Sequence, residues 1–203
     1  MSIINVPIWI AENRAAFVPP VCNKLMHGAG RLKVMLVGGP NQRKDYHINQ
    51  GEELFFMVEG CMNLRIREGD KSTDVVIKTD EVYLLPPCVP HSPQRLADTV
   101  GLVVEIERNP DEIDGLRYYV DDTVTGSEVL WQRWFKCHDL GVQLKPLIQE
   151  FFASPENADR VPRDVISPPY KLGPSGGPAP FGLSVWLEKK RGGASDQRCA
   201  VGF

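Results

Sequence analysis

From Arg31 to Glu107 the chain is divided into short strand-like runs, some alternating between apolar and polar residues and others rich in aromatic and aliphatic ones. Arg31-Leu-Lys-Val-Met-Leu-Val37 alternates, turns apolar and stops at Gly38-Gly39-Pro40. Residues 53–59 are rich in aromatic and aliphatic side chains, and Met62, Leu64 and Ile66 then alternate with Asn63, Arg65 and Arg67. Further runs cover 74–78, 81–85 and 99–107, and Glu68-Gly69-Asp70-Lys71 reads as the turn of a hairpin. A period of two puts every second side chain on one face. Many short strands at this spacing predict an antiparallel sandwich or barrel. A double-sheet jelly roll suits them, because its mouth can hold a ligand or a metal.

The flanks differ. Residues 1–30 read as a helical or irregular opening segment, in which Pro7 starts a short helix and Pro19-Pro20 ends it. Beyond Arg117 two helices are expected. Ser127 caps the first, which contains Val129, Leu130, Trp131, Trp134 and Phe135. The second contains Leu144, Leu147, Ile148, Phe151 and Phe152, and Pro146 is tolerable in it as a first-turn residue. Their aromatic cluster is expected to cover an open end of the β domain. From Val161 onward prolines and glycines dominate, which divides the chain into a domain over 1–160, a linker over 161–182 and a flexible tail over 183–203. Leu183 to Leu187 forms the one apolar patch of that tail.

The chain has 203 residues and a formal net charge of -3, with both signs interspersed. No basic stripe points to nucleic acid and no polybasic tract points to a membrane surface. The first residues lack a basic n-region, so they make a poor signal peptide. No apolar run reaches the roughly 18 residues of a membrane span. Cys22, Cys61, Cys88, Cys137 and Cys199 are scattered, with no Cys-x-x-Cys pair. Free thiols in a reducing cytoplasm are the expectation.

Two stretches carry chemistry. The first, Gly39 to Gly60, contains His47 and Glu53; the second, Asp80 to Arg95, contains His91. Two neutral imidazoles and one carboxylate are the ligand set of a non-haem Fe(II) site, which leaves positions open for substrate and O2. Arg43, His47 and Glu53 are even numbers of residues apart, so an extended segment would point all three one way, with Phe55 and Met57 following. His91 and Arg95 share parity too. Glu52 competes with Glu53 as the carboxylate, and a bulge at Gly51 would favour it; parity favours Glu53. Either histidine alone would read as an ordinary polar residue near a strand end. Together with Glu53 and two nearby arginines they outweigh that reading. A guanidinium beside a metal needs an anion, so Arg43 and Arg95 imply a small acidic substrate or a developing oxyanion.

The same stretches resemble the paired cupin motifs. Gly39, His47, Glu53 and Gly60 fall on the first motif, with Asp45 where it has another histidine. Pro86 and His91 fall on the second, with Asp80, Cys88 and Arg95 in place of glycine, glycine and asparagine. More narrowly, Gly39-Pro-Asn-Gln-Arg-Lys-Asp-Tyr-His47, Leu84-Leu-Pro-Pro-Cys-Val-Pro-His-Ser-Pro-Gln-Arg95 and Asp114-Gly-Leu-Arg-Tyr-Tyr-Val120 resemble the 3-hydroxyanthranilate 3,4-dioxygenase family, over roughly residues 1–160. That resemblance implies a mainly β fold, a cupin double-stranded jelly-roll barrel with short flanking helices. It implies Fe(II) at His47, Glu53 and His91, Arg43 beside the oxygen, and a substrate held by Glu53, Arg95 and Glu105. Glu105 enters through the resemblance alone. The implied reaction opens 3-hydroxyanthranilate with O2 to 2-amino-3-carboxymuconate semialdehyde, which closes to quinolinate in the kynurenine route to NAD. The resemblance is to the animal type, whose second, degenerate cupin is expected to be missing here. A monomer or weak homodimer without nucleic-acid or membrane partners is expected. The alternative is a truncated, non-catalytic cupin that binds metal or ligand.

Overall fold

The computed structural model describes residues 3–19, 22–69, 71–121, 128–173 and 177–194. Helix α1 (Val6–Glu12) begins at Asn5, whose side chain accepts from the Ile8 N–H, and Pro7 lies in its first turn, where a missing N–H is harmless. A 3-10 turn at Arg14–Phe17 follows. Ile10 and Phe17 are buried with Leu36 and Val100, which pins the opening segment to the β structure.

The strands are β1 (Asn23–His27), β2 (Leu32–Gly38), β3 (Tyr46–Ile48), β4 (Glu53–Glu59), β5 (Cys61–Glu68) and β6 (Lys71–Lys78). They continue with β7 (Glu81–Leu85), β8 (His91–Arg95), β9 (Val100–Ile106), β10 (Asp114–Tyr119), β11 (Val129–Phe135) and the short β12 (Phe181–Gly182). One sheet has the order β1-β2-β9-β4-β7-β12 and the other β11-β10-β3-β8-β5-β6. Every strand pair is antiparallel. Phe55, Met57, Leu85 and Val103 of the first sheet pack against Met62, Leu64 and Ile66 of the second, and this apolar layer is the main core.

The closed jelly-roll barrel expected from the resemblance is not formed. Each sheet has two ends, β1 and β12 in one and β11 and β6 in the other, so neither closes on itself. Closure requires the end strands to bond to each other with a consistent stagger. Among the described residues β12 offers only Phe181 and Gly182, both spent on β7, and β11 pairs with β10 alone. The result is an open, two-sheet, mainly β fold with short flanking helices.

The helix expected over Val129–Phe135 is also a strand. β11 runs beside β10 with Gln132 opposite Arg117 and Trp131 opposite Tyr118. Its valine and tryptophans suit a pleated, half-buried surface better than a helix. The proposed cap, Ser127, lies outside the described residues. The second helix is present as α2 (Leu140–Ala153), with Pro146 in its seventh position rather than its first turn. Phe151 of α2 stacks on Tyr118 at 3.5 Å between ring centroids. The short α3 (Pro155–Asp159) follows.

The proline-rich stretch lies against the sheets. Tyr170 donates its hydroxyl to the Ile113 carbonyl at 2.9 Å, and the Gly173 N–H donates to the Cys88 carbonyl at 2.9 Å. Leu183–Ala194 forms α4, where Asp80 accepts from the Ser184 N–H and hydroxyl. No helix among the described residues is long and apolar enough to cross a membrane.

Candidate metal centre

The centre is assembled from both sheets. β3 and β8 are neighbours in the second sheet, and their register sets His47 opposite His91. Glu53 opens β4 in the first sheet and reaches them across the interior. One ligand atom from each residue falls within a group whose members all lie within 4.8 Å of one another. The His91 Nε2 is 3.4 Å from Glu53 Oε1, and the His47 Nδ1 is 3.6 Å from the same oxygen. All three residues are buried. Glu53 Oε1 accepts no hydrogen bond, although it is sealed from water. An orphaned carboxylate oxygen between two imidazole nitrogens is a donor set that a divalent cation satisfies.

The parity expectation reached this convergence by a different local path. His47 and Glu53 do not share a strand, because the chain leaves one sheet after Ile48 and enters the other at Glu53. They meet because the two sheets face each other. Glu52, the competing carboxylate, is exposed.

The remaining expected residues gather around this trio. Glu105 sits directly opposite Glu53 on β9. That cross-strand register is the signal that could have found Glu105 from the sequence, had the pairing been known. Arg95 lies on β8 beyond His91, and its Nε is buried without a hydrogen-bond partner. Burial, with Arg43 adding repulsion, lowers the Arg95 guanidinium to about 10. Arg43 is partly exposed and donates to the Asp45 carboxylate. Asp45 therefore faces Arg43 and takes no place among the three clustered ligands.

Two residues escaped the sequence reading. Asp114, fully buried at the start of β10, places Oδ2 2.7 Å from His47 Nε2. Arg108, in the loop after β9, donates to Asp114 at 2.9 Å and to Glu105 at 2.6 Å. Asp114 stood inside a recognisable string, but its side chain could be placed only once β10 was known to lie beside β3.

The electrostatics follow from this packing. Burial alone would raise the Glu53 carboxyl, but His91 and His47 hold it well below the ordinary carboxylate range. Burial opposes charge on His47, yet Asp114 and Glu53 raise it to about 9. Glu105 moves the other way: burial first, then the nearby Glu53 charge, raises its carboxyl despite Arg108. Two facing carboxylates with their affinities for protons driven apart are suited to different tasks. His91 donates from Nδ1 to the Val89 carbonyl at 3.0 Å when that nitrogen carries the proton, which leaves Nε2 as the acceptor facing Glu53.

Residues 1–152 match the family described as 3-hydroxyanthranilic acid dioxygenase. The chain is 53% identical over 188 residues to the 3-hydroxyanthranilate 3,4-dioxygenase of Homo sapiens, covering 91% of this chain and 64% of that protein. The Bos taurus protein of the same name is 51% identical over 194 residues, 93% of this chain and 65% of its own length. The Nematostella vectensis protein of that name is 58% identical over 149 residues, 73% of this chain and 53% of its own length. The chain thus spans less than two thirds of these relatives. The family match runs through every strand that carries a residue of the centre, and on that ground the chain belongs to the 3-hydroxyanthranilic acid dioxygenase family.

Proposed function

We propose that this chain holds Fe(II) at His47, Glu53 and His91 and opens the ring of 3-hydroxyanthranilate with O2, giving 2-amino-3-carboxymuconate semialdehyde, the precursor of quinolinate. The observation that carries the reading is the orphaned, buried Glu53 oxygen facing two imidazole nitrogens. Fe(II) in such a set supplies open coordination positions and Lewis acidity toward substrate and O2.

The surrounding side chains have roles that fit this substrate. Arg95 offers a buried guanidinium with a free Nε donor, which suits the ring carboxylate. Arg43 can stabilise negative charge developing on the reduced oxygen, because Asp45 fixes its direction. Glu105, its carboxyl raised, is suited to hold the proton that leaves the substrate hydroxyl. Glu53 lies opposite it and borders the same space. Residues 1–160 carry this entire set as the catalytic domain, followed by a proline- and glycine-rich linker over 161–182 and a tail over 183–203.

The test is oxygen uptake with 3-hydroxyanthranilate after anaerobic loading with Fe(II), beside a His47→Ala control. Stoichiometric uptake with a near-ultraviolet muconate semialdehyde band, absent in the control, is the expected result. A folded, iron-loaded chain that consumes no oxygen would leave a non-catalytic metal-binding protein.

A further inference from the structure

A buried guanidinium links the two ends of the centre. Arg108 grips Glu105 with Nη1 at 2.6 Å and Asp114 with Nη2 at 2.9 Å, and its Nε adds contacts of 3.2 Å to both Asp114 oxygens. Asp114 in turn lies 2.7 Å from His47 Nε2. The Arg108 side chain is 8% exposed, Glu105 is 5% and Asp114 is 0%. Water competes little for these bonds, and a charge this deep persists only if it is paired.

The bond from Asp114 selects between the nitrogens of the His47 ring. A carboxylate accepts, so Nε2 must donate, and a neutral ring that donates from Nε2 presents Nδ1 as a lone pair. Nδ1 is the nitrogen that faces Glu53 at 3.6 Å. His91 is set the opposite way: the Val89 carbonyl accepts from its Nδ1 and leaves its Nε2 for Glu53. The two histidines lie opposite each other in register, yet each is turned by a different acceptor so that, in the neutral ring a metal requires, its lone pair is aimed at one point. We infer that Asp114 and Arg108 are positioning residues: Asp114 fixes the His47 ring, and Arg108 ties Asp114 to Glu105 so that the metal and substrate sides share one frame. This inference rests on the reading of His47 as a metal ligand.

The test uses the whole chain, with Co(II) and Zn(II) as probes. In the Zn(II)-loaded, 15N-labelled protein, long-range nitrogen–proton spectra should place the His47 proton on Nε2 and the His91 proton on Nδ1. Asp114→Ala should weaken Co(II) binding about 10- to 100-fold and change the visible Co(II) spectrum. Asp114→Asn retains an acceptor of the same shape and should recover part of that loss; it decides the matter if the alanine variant does not fold. Arg108→Gln should weaken Co(II) binding by a smaller factor and also raise KM for 3-hydroxyanthranilate. Glu105→Gln should raise KM while leaving Co(II) affinity unchanged. A wild-type chain that binds no Co(II) overturns the metal reading and this inference with it. Wild-type binding that both Asp114 variants leave intact, or a His47 proton found on Nδ1, overturns the inference alone. An Arg108→Gln variant that moves only one of the two quantities removes the link to Glu105.

Discussion

Strand β4 lines both halves of the interior. Its inward positions are Glu53, Phe55 and Met57, at 3%, 2% and 1% exposure. Phe55 and Met57 join an apolar cluster with Leu64, Ile66 and Leu85, whereas Glu53 faces His47 and His91. The pleat is the same and the burial is the same, but the energetics are opposite. Apolar side chains gain about 25 cal/mol for each Å² withdrawn from water. A carboxylate withdrawn from water loses hydration that only pairing returns. The apolar half therefore holds the sheets together, and the polar half is held in place by its own network, with Arg108 joining Glu105 to Asp114 and Asp114 joining His47. What keeps the fold and what makes the centre useful are thus separable along one strand.

Removing a ligand tests that separation most strongly. His91→Ala deletes one of two imidazoles and should lower turnover of the iron-loaded chain by about a thousandfold or more, since a bound metal supplies several kcal/mol of transition-state stabilisation. Metal content after desalting should fall with it. Denaturant unfolding of the metal-free protein should change less than in the next variant. Leu64→Ala, 0% exposed in the apolar half, should destabilise the fold by about 2–5 kcal/mol and leave turnover per folded, iron-loaded molecule near wild type. If His91→Ala unfolds the protein as readily as Leu64→Ala, the polar half is also holding the sheets together and the separation fails.

The sequence exposed these halves unequally. β2 and β5 announced themselves by period two and β4 by its run of aromatic and aliphatic residues, and Met62, Leu64 and Ile66 are buried as their alternation requires. β10 and β11 did not. Asp114–Tyr119 is buried at every position, so it carries no polar face to mark a period, and the aromatics of Val129–Phe135 mimic a helical stripe. Barrel closure was inferred from the spacing of short strands and from a motif resemblance, but closure depends on what the edge strands find to bond with, which local sequence does not encode. The ligand trio was legible because histidines are rare in the chain, which has only four, and two of them flank Glu53 in the motif stretches. Asp114 and Arg108 were not legible, because acids and arginines are common and only register brings these two to His47. Asp80 and Cys88 show the reverse case. They replace glycines of the resembled motif, and both sit at positive φ, 68° and 62°, so the motif correctly marked left-handed turns that these residues fill at some strain.

The smallest effect is expected where the same charges meet in water. Arg14 and Glu59 pair at 2.5 Å with side chains 52% and 37% exposed, against 8% and 0% for Arg108 and Asp114. The hydrogen bond from Arg14 lowers the Glu59 carboxyl from its ordinary 4.5, with burial opposing weakly. A depressed carboxyl contributes stability that is fully present above its unfolded value and is lost as pH falls through its folded one. Arg14→Ala should therefore cost no more than about 1 kcal/mol at pH 7, shrink further in high salt, and cost nothing once the pH is well below 4.5. Urea unfolding of the two proteins across that range measures it. A cost that survives both acid and salt would mean that Arg14 acts through packing of its stem, and that exposure does not by itself separate the rim charges from those of the centre.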